Sequence, residues 1–449
     1  MRINYFCYIR KEINYEYKMN TKINISKITI GGFANIKETF FNLSQINALI
    51  APNNYGKSNL LEALYFGIAF IGASPKYKLT MMKSRHCIPI NKANDHSPFL
   101  FLIEGDFLVD KESNSFIYSY SFEWAKTDNP ISGSQIISES LKIKNAGEAK
   151  YKSYINRDID STCYLASETG RCSKVLAVSG DTLALNKLIN FDELFYVEKL
   201  KIISALDVRV IDTLENPDSY FSRVTPNNDS NDDSSAFPNQ SRVAVFINDL
   251  KENHKERYDL LKNTIIDLLP TIEDFEPIKI DLRDDNEKMN APFVLPDYFY
   301  DIKVKEKDNN QYTSISSISS GCKKILFVLS LTLAADLHHI PMITFEELEN
   351  SVHPRLLQNL LVALASLAGK SKILFTSHSP YLLRYLSPEQ INIGVPSKHS
   401  LACFKQIKPS KIKKLIKLAS EEEASLGEYA FDMMLDADSD DERINEYFE

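Results

Sequence analysis

The stretch Ala51–Phe66, APNNYGKSNLLEALYF, decides how this chain folds. It follows QINALI (Gln45–Ile50), an apolar run with the length of a buried strand, and it leads into a helix-forming apolar run. A glycine, a lysine and a serine at a strand-to-helix turn are the order of a phosphate-binding loop, G-x-x-x-x-G-K-[ST]. Gly56, Lys57 and Ser58 fill the last three positions, and Ala51 stands where the first glycine belongs. Backbone N–H groups from Asn53 and Asn54 through Gly56 to Ser58, with Asn59 in the first turn, are expected to wrap the phosphates of a nucleotide. Unpaired amides and the helix dipole both favour an anion there. Lys57 would reach the β and γ phosphates, and the Ser58 hydroxyl would bind Mg²⁺. The alternative at this point is a tight turn capping an ordinary helix.

Composition sets the class. With 449 residues, 44% hydrophobic and 25% charged, the chain is an ordinary globular protein with room for more than one folding unit. A net charge of −8 argues against a chain that coats nucleic acid everywhere, although a local basic face is compatible with it. Six cysteines stand at Cys7, Cys87, Cys163, Cys172, Cys322 and Cys403 with no CxxC spacing, which reads as reduced cytoplasmic thiols and gives no sign of a structural zinc site. The longest apolar run, ILFVLSLTLAA from Ile325, is far short of the ~20 residues of a membrane span. Residues 1–18 resemble no secretory signal, and Met19 opens the alternating run MNTKINISKITIGGF. The first 18 residues are therefore expected to be a disordered extension.

Three further motifs follow far downstream. TSISSISSGCKK places Ser319, Ser320 and Gly321 at the start of an apolar helix. MITFEELENSVHP is a strand-like run ending in Glu346 and Glu347, and Pro354 and Gly369 bracket the helix after it. KILFTSHSPYLL is a second apolar strand, carrying His378 at its end.

APNNYGKS, ISSGCKK, ITFEELENSVHP and ILFTSHSPYLL, in that order, resemble the ABC-type ATPase head of the OLD-like, RecF-like and SMC-like group. The resemblance covers roughly residues 20–110 and 300–405. It implies an α/β fold: an ABC-type P-loop ATPase head, a mixed sheet with helices, split by a mainly helical insertion. It also implies a Walker A loop at Ala51–Ser58, a signature at Ser319–Gly321, a Walker B strand ending in the metal-orienting Glu346, Glu347 as catalytic base, a D-loop at Leu348–Ser351 and His378 as switch histidine. ATP and Mg²⁺ are the implied ligands. In such a geometry the signature meets the nucleotide of a facing subunit, so a homodimer of heads or a higher oligomer is expected.

The departures are Glu346 where the family usually has Asp, Ala51 for glycine, and Cys322 where Glu or Gln is frequent. Glu346 points to either a readjusted metal geometry or slower turnover, because one extra methylene moves the metal-orienting carboxylate. Glu349 is expected to be structural and His353 to start a helix, and no Q-loop glutamine is assigned.

The expected organisation is an extension at 1–18, the N-terminal part of the head at 19–125, an insertion at 126–298 with a mobile loop about 215–243, the C-terminal part of the head at 299–405, and a basic then acidic tail at 406–449. FLFLIEGDF and SFIYSYSFEW read as antiparallel strands, and ALNKLINFDELFYVEKLKII and KERYDLLKNTIIDLLP as helices. The tail's DADSDD resembles a TOPRIM DxD only superficially, since too little chain surrounds it for that fold.

Nucleotide machinery without recognisable effector chemistry resembles the stand-alone ATPases of anti-phage systems such as PARIS and Septu. The implied function is an oligomeric ATPase sensor or scaffold controlling a separate effector nuclease, with duplex DNA or a phage protein as trigger. The alternatives are a RecF-like DNA-repair clamp and a nucleotide-binding scaffold with little turnover.

Overall fold

The computed structural model describes residues 23–95, 97–109, 111–126, 133–211, 214, 242–282, 298–350, 352–436 and 442–449. The extension expected at 1–18, nearly all of the loop expected at 215–243, Ser351 of the expected D-loop and residues 437–441 of the acidic run lie outside them. The chain forms two compact units. One comprises Met1–Asp212, His339–Glu347 and Lys370–Glu449, and the other Thr213–His338 and Leu348–Gly369.

The first unit begins with β1 (Ile23–Gly31), β2 (Thr39–Asn42), β3 (Ile46–Ile50), α1 (Lys57–Gly72) and α2 (Pro75–Met82). It continues through β4 (Phe99–Val109), β5 (Glu112–Glu123), β6 (Gln135–Lys144), β7 (Lys152–Arg157), β8 (Thr162–Leu165), β9 (Cys172–Val175), α3 (Ala184–Leu188), α4 (Val197–Ser204) and β10 (Val208–Ile211). The second unit holds α5 (Val243–Asn253), α6 (Lys255–Leu268), β11 (Ile272–Asp281), β12 (Tyr298–Glu306), β13 (Thr313–Ser314) and α7 (Ser320–Leu337). After β14 (Met342–Phe345) in the first unit come α8 (Pro354–Leu367) in the second and then, in the first, β15 (Lys372–Ser377), α9 (Pro380–Leu383), β16 (Ile391–Gly394), β17 (Phe404–Gln406), α10 (Ile412–Glu421), α11 (Leu426–Asp436) and α12 (Glu442–Tyr447).

Two sheets build the first unit. An antiparallel sheet runs β2-β1-β4-β5-β6-β7-β8-β9, and a mixed one runs β10-β14-β15-β3-β16-β17 with only β17 antiparallel. Their sequences differ as their surroundings demand. FLFLIEGDFLV in β4 alternates buried and half-buried positions, as a one-sided strand does, whereas INALI in β3 and MITF in β14 are buried throughout, as central parallel strands are.

Helix α1 packs on the antiparallel sheet through an aromatic layer. Phe66 meets Phe99 edge-on at 5.2 Å and Phe70 stacks on Phe122 at 4.8 Å. Gly67 makes this approach possible: a Cβ there would lie 2.2 Å from the Phe101 ring, and the Tyr120 hydroxyl donates to the Gly67 carbonyl at 2.7 Å. The helix that follows the Ala51–Ser58 loop is thus seated closely on the sheet.

The stretch expected as a mainly helical insertion, 126–298, is mixed. Residues 135–175 supply β6 to β9, which extend the antiparallel sheet, and helices α3 to α6 come only after them. The strand signal was weak because these strands carry charge on their inner face. Glu139 on β6 is buried and accepts the N–H groups of Ala184 (2.5 Å) and Leu185 (2.9 Å) and the Tyr118 hydroxyl (3.0 Å). Arg157 on β7 donates to the carbonyls of Thr182 (2.7 Å) and Ser179 (3.1 Å). Together they pin the start of α3 to the sheet, satisfying amides that a short helix leaves unpaired.

Lys78 on α2 is buried beside this cluster and donates to the Ala73 carbonyl and to Asn186 Oδ1 at 2.9 Å. Burial pushes its ammonium down to about 7, against the upward pull of Glu139 and Asp181. Between that value and the ordinary 10.5 the unfolded chain holds a proton that the folded chain does not, so stability rises with pH across this window. From pH 7 to 9 the wild type should gain on Lys78→Met by up to about 1.4 kcal/mol per pH unit, read from urea unfolding of both proteins. A pH-independent difference would count against the buried neutral amine.

In the second unit α7 packs against α6 and α8, and α5 and α6 lie on the β11–β12 hairpin. Arg257 on α6 ties to Asp336 on α7 at 3.1 Å. His353 caps α8, accepting the Arg355 N–H at 3.3 Å, and Gly369 takes φ +54° beyond its end.

The described residues of the segment 406–449, read as a tail, fold back. Gln406 and Glu449 exchange backbone hydrogen bonds of 3.1 and 2.9 Å, and Lys411 and Lys414 each pair with Glu446 at 3.0 Å. Among the described residues, no helix is long and apolar enough to cross a membrane.

Candidate functional site

Neighbouring parallel strands β14, β15 and β3 end on one edge of the mixed sheet, the edge at which open α/β sheets take their ligands. Phe345 is level with Phe375, and Ser377 with Ile50. Glu346 and Glu347 therefore leave β14, His378 leaves β15, and the loop from Ala51 leaves β3, all at the same edge.

The loop is built by backbone that glycine or asparagine tolerates. Asn54 sits at φ +60° and Gly56 at φ +126°, and a Cβ on Gly56 would lie 2.8 Å from Ala402 Cβ and 2.9 Å from Asn35 Oδ1. Ala51 is not among the residues with positive φ, so alanine replaces the usual glycine without strain. Lys57 is buried, its ammonium donating to the carbonyls of Ala51 (2.8 Å) and Pro52 (3.1 Å). Asn53, Asn54 and Ser58 are exposed at the mouth.

Asn35 was not legible as a site residue. It donates to the Tyr55 carbonyl at 3.0 Å and accepts from Asn59 Nδ2 at 2.8 Å, bracing both ends of the turn. Tyr55 is a second brace. Its hydroxyl contacts the Val395 carbonyl and accepts the Cys403 N–H at 3.0 Å, its ring meets Phe404 edge-on at 5.3 Å, and burial holds its phenol well above the ordinary range. Neither residue has a spacing signal in the sequence, since their partners lie 20 and about 340 positions away.

At the acidic end, the Glu346 N–H donates to the Ile211 carbonyl at 3.1 Å. Glu347 takes a left-handed φ of +47°, and its N–H donates to Thr376 Oγ1 at 3.0 Å. Such a conformation is costly for glutamate and is held by its surroundings, as strained residues at functional sites are. His378 Nδ1 lies 3.9 Å from Glu347 Oε1, with both side chains about 40% exposed (40% and 39%). Thr376 is the residue here that the sequence reading missed.

Ser319, Ser320 and Gly321 lie in the second unit, at the start of α7. Ser319 is the N-cap, its hydroxyl accepting the Cys322 N–H at 3.3 Å, and Ser319 and Ser320 are exposed. Lys324, one turn on, donates to the Asn350 carbonyl at 2.6 Å and so links this helix to the segment after Glu347.

A glycine–lysine–serine loop on β3, an intervening strand, and then an acidic strand follow the strand order of α/β folds that carry a P-loop. Residues 199–384 match the family model described as "AAA domain, putative AbiEii toxin, Type IV TA system". That match takes in Ser319–Gly321, Glu346, Glu347 and His378 but less than half of the chain, and it leaves out the loop at Ala51–Ser58. No curated protein matches the chain. Among solved structures, the SMC head bound to the C-winged helix domain of ScpA is similar over 87% of this chain and 99% of its own, at 11% identity and a TM-score of 0.48. The SMC head domain from Thermotoga maritima gives 86%, 99%, 10% identity and a TM-score of 0.40. The SMC head with an extended coiled coil bound to the C-terminal domain of ScpA, from Pyrococcus furiosus, gives 89%, 100%, 12% and 0.41.

Proposed function

We propose that the chain is an ATPase whose nucleotide is held by one copy and completed by the signature of another, and that it acts as a sensor or scaffold controlling a separate effector nuclease in anti-phage defence. The observation that carries the ATPase reading is the convergence of Lys57, Glu346, Glu347 and His378 on one edge of the sheet. Amides from Asn53 to Ser58 would bind the phosphates, and Lys57 would exchange its two loop carbonyls for β and γ oxygens. Ser58 and Glu346 offer only oxygen, which suits Mg²⁺, and they are the residues that would hold it. The ion supplies neutralisation of phosphate charge when bound. Glu347 would take the proton of the attacking water, with His378 oriented beside it. The exposed Ser319 and Ser320 support a role in trans.

The family description's words, toxin and toxin–antitoxin system, are said of that family. They support placing this chain among bacterial conflict systems. The clamp alternative needs basic surface, and two lysines of the C-terminal basic run, Lys411 and Lys414, share Glu446, which lowers the positive charge that run presents.

Mass photometry of the full chain with and without ATP and Mg²⁺, and with duplex DNA, tests the reading. ATP-dependent or constitutive assembly that ignores DNA supports the scaffold. Salt-sensitive loading onto duplex DNA only with ATP would transfer the case to the clamp. DNA or RNA cleavage by the purified chain alone, lost on changing its acidic C-terminal segment, would overturn control of a separate nuclease.

A further inference from the structure

A second constellation joins Glu62 of α1 to His86 and Cys87 of the segment after α2. Glu62 is 8% exposed, and its Oε1 is buried with no hydrogen-bond partner. His86 Nε2 lies 3.2 Å from that oxygen, close enough for an ion pair but not aligned as a hydrogen bond. Cys87, fully buried, completes the group: a carboxylate oxygen of Glu62, an imidazole nitrogen of His86 and the Cys87 sulfur all lie within 4.8 Å of one another.

We infer that Glu62, His86 and Cys87 form a binding site for a divalent cation of the zinc type, with three protein ligands and an open fourth position. Oxygen, nitrogen and sulfur donors together select a borderline ion over Mg²⁺ or Ca²⁺, which take oxygen alone. Tetrahedral bonds of about 2.1 and 2.3 Å put ligand atoms about 3.6 Å apart, so small side-chain rotations gather these three around an ion. A cation would also satisfy the buried Glu62 oxygen, which has His86 at ion-pair distance but no hydrogen bond, where an incompletely satisfied buried carboxylate is costly.

The supporting shell is in place. Ser84 Oγ lies 3.3 Å from His86 Nδ1, leaving Nε2 to face Glu62, and the Cys87 N–H donates to the Ser84 carbonyl at 3.0 Å to fix the turn. His86 is 40% exposed and gives the ion a way in. Binding a thiolate releases the Cys87 proton to solvent, so affinity rises with pH. The absence of a CxxC spacing hid this site, because its third ligand stands on a helix 24 residues upstream of His86.

The site also touches the nucleotide loop's frame. The Cys87 carbonyl accepts the Ala34 N–H at 2.7 Å, and Asn35, next in the chain, braces Tyr55 and Asn59. Glu62 rides on the helix that begins at Lys57.

The test is titration of the reduced, metal-free full chain with Co²⁺, without nucleotide, followed by displacement with Zn²⁺. One equivalent should give a thiolate-to-metal charge-transfer band that Zn²⁺ abolishes and Cys87→Ser lacks. His86→Ala, at an exposed position and so safe for folding, should weaken Zn²⁺ about 100-fold or more, at or above what changes to a supporting residue produce. No band, or an equal band in Cys87→Ser, would overturn the site. So would Zn²⁺ affinity in His86→Ala within twofold of wild type, an outcome that holds even if Cys87→Ser fails to fold.

Discussion

Glu347→Gln will lower steady-state ATP turnover by about 10²–10⁴-fold, the range a positioned general base contributes, and will leave ATP affinity within a few-fold. The substitution keeps size and hydrogen-bonding reach and removes only the capacity to hold a proton. The backbone supports the role. Glu347 is fixed at φ +47° by its N–H bond to Thr376, so its carboxylate leaves β14 at a defined angle beside His378. Phosphate release under saturating ATP reads the effect. Turnover within threefold of wild type would assign the base elsewhere. Glu346 bears on the absolute rate, not on this ratio.

Lys57→Ala should weaken ATP by about 30-fold to a few thousand-fold, since truncating one partner of a buried hydrogen-bonded charge pair costs about 2–5 kcal/mol. The structure explains why the loss should be specific. Lys57 is held against its own loop by the Ala51 and Pro52 carbonyls, an arrangement ready to be replaced by phosphate oxygens. Removing the ammonium also frees those carbonyls, so thermal unfolding without nucleotide serves as the control. A fluorescent ATP analogue measures affinity. Unchanged affinity with unchanged stability would place the phosphates away from this loop.

Much of this arrangement was legible because it is local. Gly56, Lys57 and Ser58 announce a loop by adjacency, and the all-apolar INALI and MITF announce central parallel strands by composition. Pro354 and Gly369 bracketed α8, and Pro270 stands just beyond α6. What adjacency cannot carry was missed. Asn35 and Tyr55 brace the loop across distant sequence, and Thr376 holds Glu347 from a neighbouring strand. Strands β6 and β7 were obscured for another reason: Glu139 and Arg157 are charged yet inward-facing, which breaks the apolar alternation a strand is recognised by. The C-terminal segment read as a tail because its charges dominate its composition. Those charges pair across the segment, and Gln406 closes on Glu449.

The central claim is that one copy's loop and another copy's signature make one ATP site. Mixing two inactive proteins tests it: Lys57→Ala, which keeps its signature, and Ser320→Arg, which keeps its loop. In a mixed dimer one site carries both defects and the other carries neither. The proposal predicts that the mixture regains ATP turnover that neither variant has alone, in proportion to the mixed species formed. A mixture as inactive as its components, with mixed dimers demonstrably present, would contradict it.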